Sequence, residues 1–188
     1  MAEPLLALHQ VACRRGGRLL FEMLSFNLRA GDAVVVTGPN GVGKSSLLRL
    51  AAGLLPATGG RVERSCAIGF ADDRLALDER PTLGQALDFW ARLDGNRAVS
   101  GIEAMGLMPL ARVPVRMLSS GQRKRAVLAR AISSDAPLWL LDEPSNGLDG
   151  EGQERLEAAM AAHRGKGGAI LAASHLPLGL ADAVEIAL

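Results

Sequence analysis

The sequence predicts an α/β fold: a mainly parallel sheet covered on both faces by helices, preceded by an antiparallel β segment and interrupted by a helical lobe. Three observations carry this expectation. Apolar runs of strand length, Ala33–Val36, Leu138–Leu141 and Ala169–Ala173, alternate with helical patterns, as in sheets whose strands are buried on both faces. A glycine-rich stretch, Gly38 to Ser45, lies between the first of these runs and a helical pattern. From Leu75 to about Ser134 the strand signal gives way to apolar residues at helical spacing, as in Leu83, Leu87, Trp90 and Leu93.

Taken in order, β-like runs at Leu5–Val11 and Leu24–Leu28 flank the turn-rich Arg15-Gly16-Gly17-Arg18. A helix is expected from Lys44 to Gly53, stopped by Pro56-Ala57-Thr58-Gly59-Gly60. Arg61 to Phe70 reads as a strand pair, and loops with Gly95, Gly101 and Pro109 break the helical stretch after it. The strand Leu138–Leu141, a helix from about Gly152 to His163, the strand Ala169–Ala173 and an end near Val184–Leu188 complete the chain. Residues 1–188 are therefore expected to form one domain, with a core of about 1–74 and 136–188 and a helical subdomain of about 75–135.

The 188 residues suffice for a sizeable core, and 48% apolar content is ordinary for a globular protein. A net charge of +1 announces neither a nucleic-acid surface nor a polybasic membrane anchor, so no nucleic-acid partner is expected. The densest basic run, Arg123-Lys124-Arg125, reads as a solvated helix face. No apolar stretch approaches the roughly 18 residues of a membrane span. Met1-Ala2-Glu3-Pro4 lacks the layout of a signal peptide, so membrane association would come through a partner. Cys13 and Cys66 stand apart, form no ligand spacing and read as reduced thiols.

Gly38-Pro39-Asn40-Gly41-Val42-Gly43-Lys44-Ser45 has the form G-x-x-x-x-G-K-S, in the strand–loop–helix context that such a phosphate-binding loop requires. Its glycines let successive N–H groups face phosphate oxygens at a helix N-terminus. Lys44 supplies a point charge for the β- and γ-phosphates, Ser45 a hydroxyl ligand for Mg²⁺, and Ser46 continues the loop into the helix. The motif assigns a nucleoside triphosphate to this chain. A second feature is the buried strand that ends on Asp142 and Glu143. Ending a buried strand on two acids is costly unless they are paired or metal-bound. Beside a phosphate loop, Asp142 is suited to Mg²⁺ and Glu143 to general-base work on the attacking water. A third is Leu118-Ser119-Ser120-Gly121-Gln122 before the long helix from Arg123. Either serine suits the N-cap, and Gly121 allows close backbone approach to an anion.

That pentapeptide resembles the LSGGQ signature of ATP-binding-cassette (ABC) ATPases, with Ser120 in place of the first glycine. The segment Asp142-Glu143-Pro144-Ser145-Asn146-Gly147-Leu148-Asp149 resembles that family's Walker B end and D-loop, the latter carrying Ser145 and Asp149. Ser174-His175 stands where the family has its switch histidine. The resemblance covers nearly the whole chain. It implies a RecA-like P-loop core, ATP and Mg²⁺ as ligands, His175 at the γ-phosphate, and an ATP-dependent head-to-tail homodimer. In that dimer residues 118–122 would meet the nucleotide of the partner subunit. Two positions depart from the pattern. The adenine-stacking aromatic falls on Arg15, whose plane suits stacking on a base or plain exposure to solvent. The Q-loop glutamine falls at Asp72-Asp73, with Asp73 as a candidate ligand of a metal-bound water.

Within the ABC group, four stretches resemble the CcmA family of cytochrome c maturation (haem export) transporters. They are Leu19-Leu20-Phe21 with Leu24-Ser25-Phe26, Leu87 to Leu93, Leu138 to Pro144, and Ser174 to Leu178. The resemblance implies a peripheral subunit on the cytoplasmic face of a bacterial inner membrane, working with permease subunits of the CcmB and CcmC type. No direct haem ligand is expected in this chain, because Cys13, Cys66, His9 and His163 show no haem-attachment spacing. Two other classes stay open on the residues alone: the ATPase of a different ABC transporter, and a soluble iron–sulfur-assembly ATPase of the same type.

Overall fold

Residues 3–72 and 77–188 are described by a computed structural model. The amino-terminal β segment consists of β1 (Leu6–Arg15), β2 (Arg18–Leu28) and β4 (Gly59–Arg64), antiparallel in the order β2-β1-β4. β2 starts six residues before the apolar run that announced it. Its first half pairs with β1 across bulges and is exposed except around Leu20 and Phe21, so it lacks the long apolar run that marks a buried strand.

The second sheet is wholly parallel, in the order β5-β6-β7-β3-β8. It comprises β3 (Ala33–Thr37), β5 (Ile68–Ala71), β6 (Leu138–Asp142), β7 (Ala169–Ala173) and β8 (Val184–Ala187). The expected strand pair at 61–70 is therefore corrected. β4 pairs with β1 and β5 with β6, so the two strands belong to different sheets. Every residue of β6 and β7 is buried, and the alternation of side chains sorts them to two faces. Leu138, Leu140, Val34, Val36 and Leu171 pack with Leu47, Leu48 and Leu50 of helix α1 (Lys44–Ala51) and with β1. Trp139, Leu141, Ile170 and Ala172 pack on the opposite face.

That opposite face is covered by α2 (Leu83–Leu93), α3 (Val99–Ala104), α4 (Ser120–Ser133) and α5 (Gly150–Gly165). α2 begins at a capping box in which the Thr82 side chain accepts from Gln85 N–H and the Gln85 side chain accepts from Thr82 N–H. Its stripe Leu83, Ala86, Leu87 and Ala91 is buried. Among the described residues of this stretch the first helix starts at Leu83, and residues 73–76 lie outside the described set. α3 crosses α4 closely. A methyl group at Gly101 would fall inside contact distance of the Ala129 carbonyl oxygen and the Ser133 hydroxyl. At the far end of α5, His163 stacks on Trp139 with centroids 3.8 Å apart. Burial pushes its imidazole below the ordinary value of 6.5. Cys13 and Cys66 are free thiols, both raised by burial. No helix among the described residues is long and apolar enough to cross a membrane.

Candidate active site

Strand register assembles the site. Val36 of β3 pairs with Ala173 of β7, which pairs in turn with Asp142 of β6. These residues are level across three adjacent strands, about 5 Å apart strand to strand. One or two residues further on, each strand delivers its motif: Gly38 after β3, Glu143 after β6, and His175 after β7. All three emerge at the carboxyl edge of the sheet, where α/β folds bind ligands.

The loop from Gly38 to Ser45 then leads into α1. Gly38 has φ 133° and Gly43 φ 129°, values that L side chains rarely adopt. A methyl at Gly43 would also press on Leu20 and the Phe21 ring. Gly43 occupies the N-cap of α1 without any side-chain cap, which leaves first-turn N–H groups facing the cleft. Lys44 is 6% exposed; its Nζ donates to Gly38 O at 2.7 Å and Pro39 O at 3.3 Å, and lies 3.8 Å from Glu143 Oε1. Glu143 Oε2 meets His175 Nδ1 at 2.7 Å. Lysine, glutamate and histidine from three separate strand ends therefore form one contiguous chain of contacts. Ser174, buried beneath, donates its hydroxyl to Leu176 O at 2.7 Å and fixes the turn that presents His175.

A cleft of about 390 Å³ lies over this group, lined by Arg15, Leu20, Asn40, Gly41, Gly43, Lys44, Ser45, Ser46 and Glu143. Arg15 is exposed at its rim, at the end of β1. Asp142 is 4% exposed at the end of β6 and its main-chain carbonyl accepts from Lys124 Nζ at 3.3 Å. The Ser45 hydroxyl, in the first turn of α1, and the buried Asp142 carboxylate, at the end of β6, are hard oxygen donors, the kind that Mg²⁺ takes. Asp73 lies outside the described residues. Asp72 stands 4.0 Å from the Arg49 guanidinium of α1.

The signature-like loop sits on another helix end. Ser119, not Ser120, is the N-cap of α4: its hydroxyl accepts from Gln122 N–H, and the Gln122 side chain accepts from Ser119 N–H. Leu118 anchors the loop in the core, while Ser120 lines a cleft shared with Lys124, Glu143, Asn146 and Gly147. Gly121 packs against the Gly147 carbonyl, 3.1 Å from where its methyl would be. In the segment after Glu143, Ser145 is buried and Asp149 caps α5 through Oδ1, which accepts from Gly152 N–H at 2.8 Å.

The structure corrects one expectation here. The run at 123–125 is not a solvated face, because all three residues are half-buried. Arg123 donates to Leu118 O and Arg116 O and bridges to Glu79 at 3.1 Å, while Lys124 reaches Asp142 O. Arg64 of β4 also went unnoticed in the sequence; its guanidinium donates to Leu50 O and Ala51 O at the carboxyl end of α1. The capping-box spacing Ser119-x-x-Gln122 was a readable signal for the cap, whereas nothing local marks Lys124 or Arg64.

The ABC transporter family profile matches residues 21–146. A cytochrome c biogenesis ATP-binding export protein CcmA of Sphingopyxis alaskensis is 55% identical over 97% of this chain and 95% of its own length. That of Zymomonas mobilis is 53% identical over 94% of this chain and 81% of its length. Among solved structures, an inward-facing metal-chelate type ABC transporter superposes with TM-score 0.84 at 25% identity, over 99% of this chain and 80% of that one. With that level of identity along nearly its whole length, the chain belongs to the ABC transporter ATP-binding family and, within it, to the CcmA family of cytochrome c biogenesis ATP-binding export proteins.

Proposed function

We propose that this chain is the ATP-hydrolysing subunit of an inner-membrane ABC complex for cytochrome c biogenesis, exporting or delivering haem to the periplasm. The observation that carries the chemistry is the Lys44–Glu143–His175 chain of contacts at the edge of the phosphate-loop cleft. Gly38 to Ser46 bind the triphosphate through backbone N–H groups and the Lys44 ammonium, which exchanges its loop carbonyls for phosphate oxygens. Arg15 stacks on the adenine. Ser45, Asp142 and, through water, Asp73 would hold Mg²⁺, and the ion would supply neutralisation of charge on the phosphates. Glu143 accepts a proton from the attacking water as its oxygen bonds to the γ-phosphorus and the bond to the bridging oxygen breaks. ADP and phosphate result. His175, whose Nδ1 is hydrogen-bonded to Glu143, has its other ring nitrogen for the γ-phosphate.

The same reading divides the chain into a catalytic core of about 1–74 and 136–188 and a helical subdomain of about 75–135. One chain has two separate helix ends suited to phosphate but one catalytic group. That supports a head-to-tail dimer in which Leu118 to Gln122 and the D-loop residues Ser145 and Asp149 complete the partner's site. Membrane subunits of the CcmB and CcmC type would hold the dimer at the cytoplasmic face. Affinity purification of tagged Glu143→Gln protein from solubilised membranes, with ATP, tests the reading. Recovery of cytochrome c maturation membrane subunits is the expected result. A different permease would sink the haem assignment, and a soluble partner alone would favour an assembly ATPase.

A further inference from the structure

Glu143 has φ 44°, in the left-handed region. Non-glycine residues stay there only when their surroundings fix them. The fixing is visible in the peptide unit joining Asp142 to Glu143. Its N–H donates to Ala173 O of β7 at 2.9 Å, and its carbonyl accepts from Lys124 Nζ of α4 at 3.3 Å. The plane is thus held from both sides, and its orientation sets φ of Glu143. One residue further, Asn146 N–H closes a turn onto Glu143 O at 3.2 Å.

The brace comes from one helix turn. A Cβ at Gly121 would lie 3.1 Å from the Gly147 carbonyl oxygen at the far end of the same loop, and Lys124 lies three residues on, on the same side of α4. Its neighbour Arg123 cannot substitute, because its guanidinium is directed to Glu79, Arg116 O and Leu118 O. An ammonium on a long stem gives a charge-assisted bond to a backbone carbonyl.

We propose that Lys124 is a positioning residue for Glu143: by holding the Asp142–Glu143 peptide, it aims the carboxylate and ties the start of α4 to the same chain's catalytic strand. This rests on the reading of Glu143 as general base. If residues 118–122 engage the partner's nucleotide, any shift of that loop reaches this chain's own base through Lys124.

The test compares Lys124→Met, which keeps the stem and loses the donor, with Lys124→Arg, which keeps a donor, in the full chain. In the ATP-free protein, amide hydrogen exchange at Glu143 and across 142–147 should rise at least about tenfold in Lys124→Met while α2 is unchanged. Under turnover, kcat should fall on the order of tenfold to a hundredfold, with KM for ATP within about twofold of wild type. Lys124→Arg should recover most of both. Exchange and kcat both within about twofold of wild type in Lys124→Met would overturn the proposal. So would KM rising in step with the loss of kcat, or failure of both variants to fold, since either marks a general scaffold role. A wild-type chain without ATP turnover that still showed the exchange contrast would support the brace and count against the ATPase reading alone.

Discussion

Replacing Gly101 by alanine sets helix propensity against packing at the crossing of α3 and α4. In an open helix the change gains about 1 kcal/mol. Here the added methyl would run into the Ala129 carbonyl, a backbone group that cannot rotate away, and into the Ser133 hydroxyl. The Ser133 hydroxyl donates to Ala98 O at 3.1 Å, so displacing it also breaks a buried hydrogen bond, worth about 1 kcal/mol. Overpacking of this kind costs about 1–3 kcal/mol or more. Packing should win by about 1–3 kcal/mol, lowering the melting temperature by roughly 2–12 °C for a chain of this size. The control is Gly165→Ala at the end of α5, where nothing lies near the added methyl. It should gain between a few tenths and about 1 kcal/mol. Both are read by urea and thermal unfolding followed by circular dichroism. Because α4 begins at the signature-like loop while Lys44 sits on the other side of the sheet, Gly101→Ala should leave ATP affinity nearly unchanged. A Gly101→Ala protein as stable as wild type would refute the packing argument.

Two further outcomes follow from single side chains. Lys44→Ala removes the cleft's buried ammonium and should weaken ATP binding roughly 10- to 100-fold, measured by fluorescent-nucleotide titration. Burial holds the His163 imidazole below 6.5, so the unfolded chain takes up its proton first. Stability should be complete above about pH 6.5 and decline as pH falls below it. His163→Phe, which retains a ring against Trp139, should flatten that part of the profile in urea midpoints measured at several pH values.

Much of the site was legible because its parts are local. The phosphate loop, the acid pair after β6 and the histidine after β7 are each defined by a few adjacent residues and the strand before them. What brings them together, the common register of Val36, Ala173 and Asp142, is a long-range property that no stretch of sequence displays. Sheet membership failed for the same reason. β4 and β5 are close in sequence, yet each finds its partner far along the chain. The first half of β2 escapes the sequence because most of its side chains are exposed and bulges interrupt its pairing, leaving Leu20 and Phe21 as its core contacts. Lys124 and Arg123 were hidden by chemistry. A basic run on a helix looks solvated until the carbonyls it reaches, Asp142 O, Arg116 O and Leu118 O, are folded against it.

Glu143 is, in the proposed function, the base of an ATP-sandwich dimer. The most direct test of that role is light scattering on size-exclusion eluates of Glu143→Gln protein with ATP and Mg²⁺, alongside phosphate release. A stable dimer that forms only with ATP, with turnover lost, is the predicted result. A monomer that binds ATP, or a variant that hydrolyses it at the wild-type rate, would contradict it.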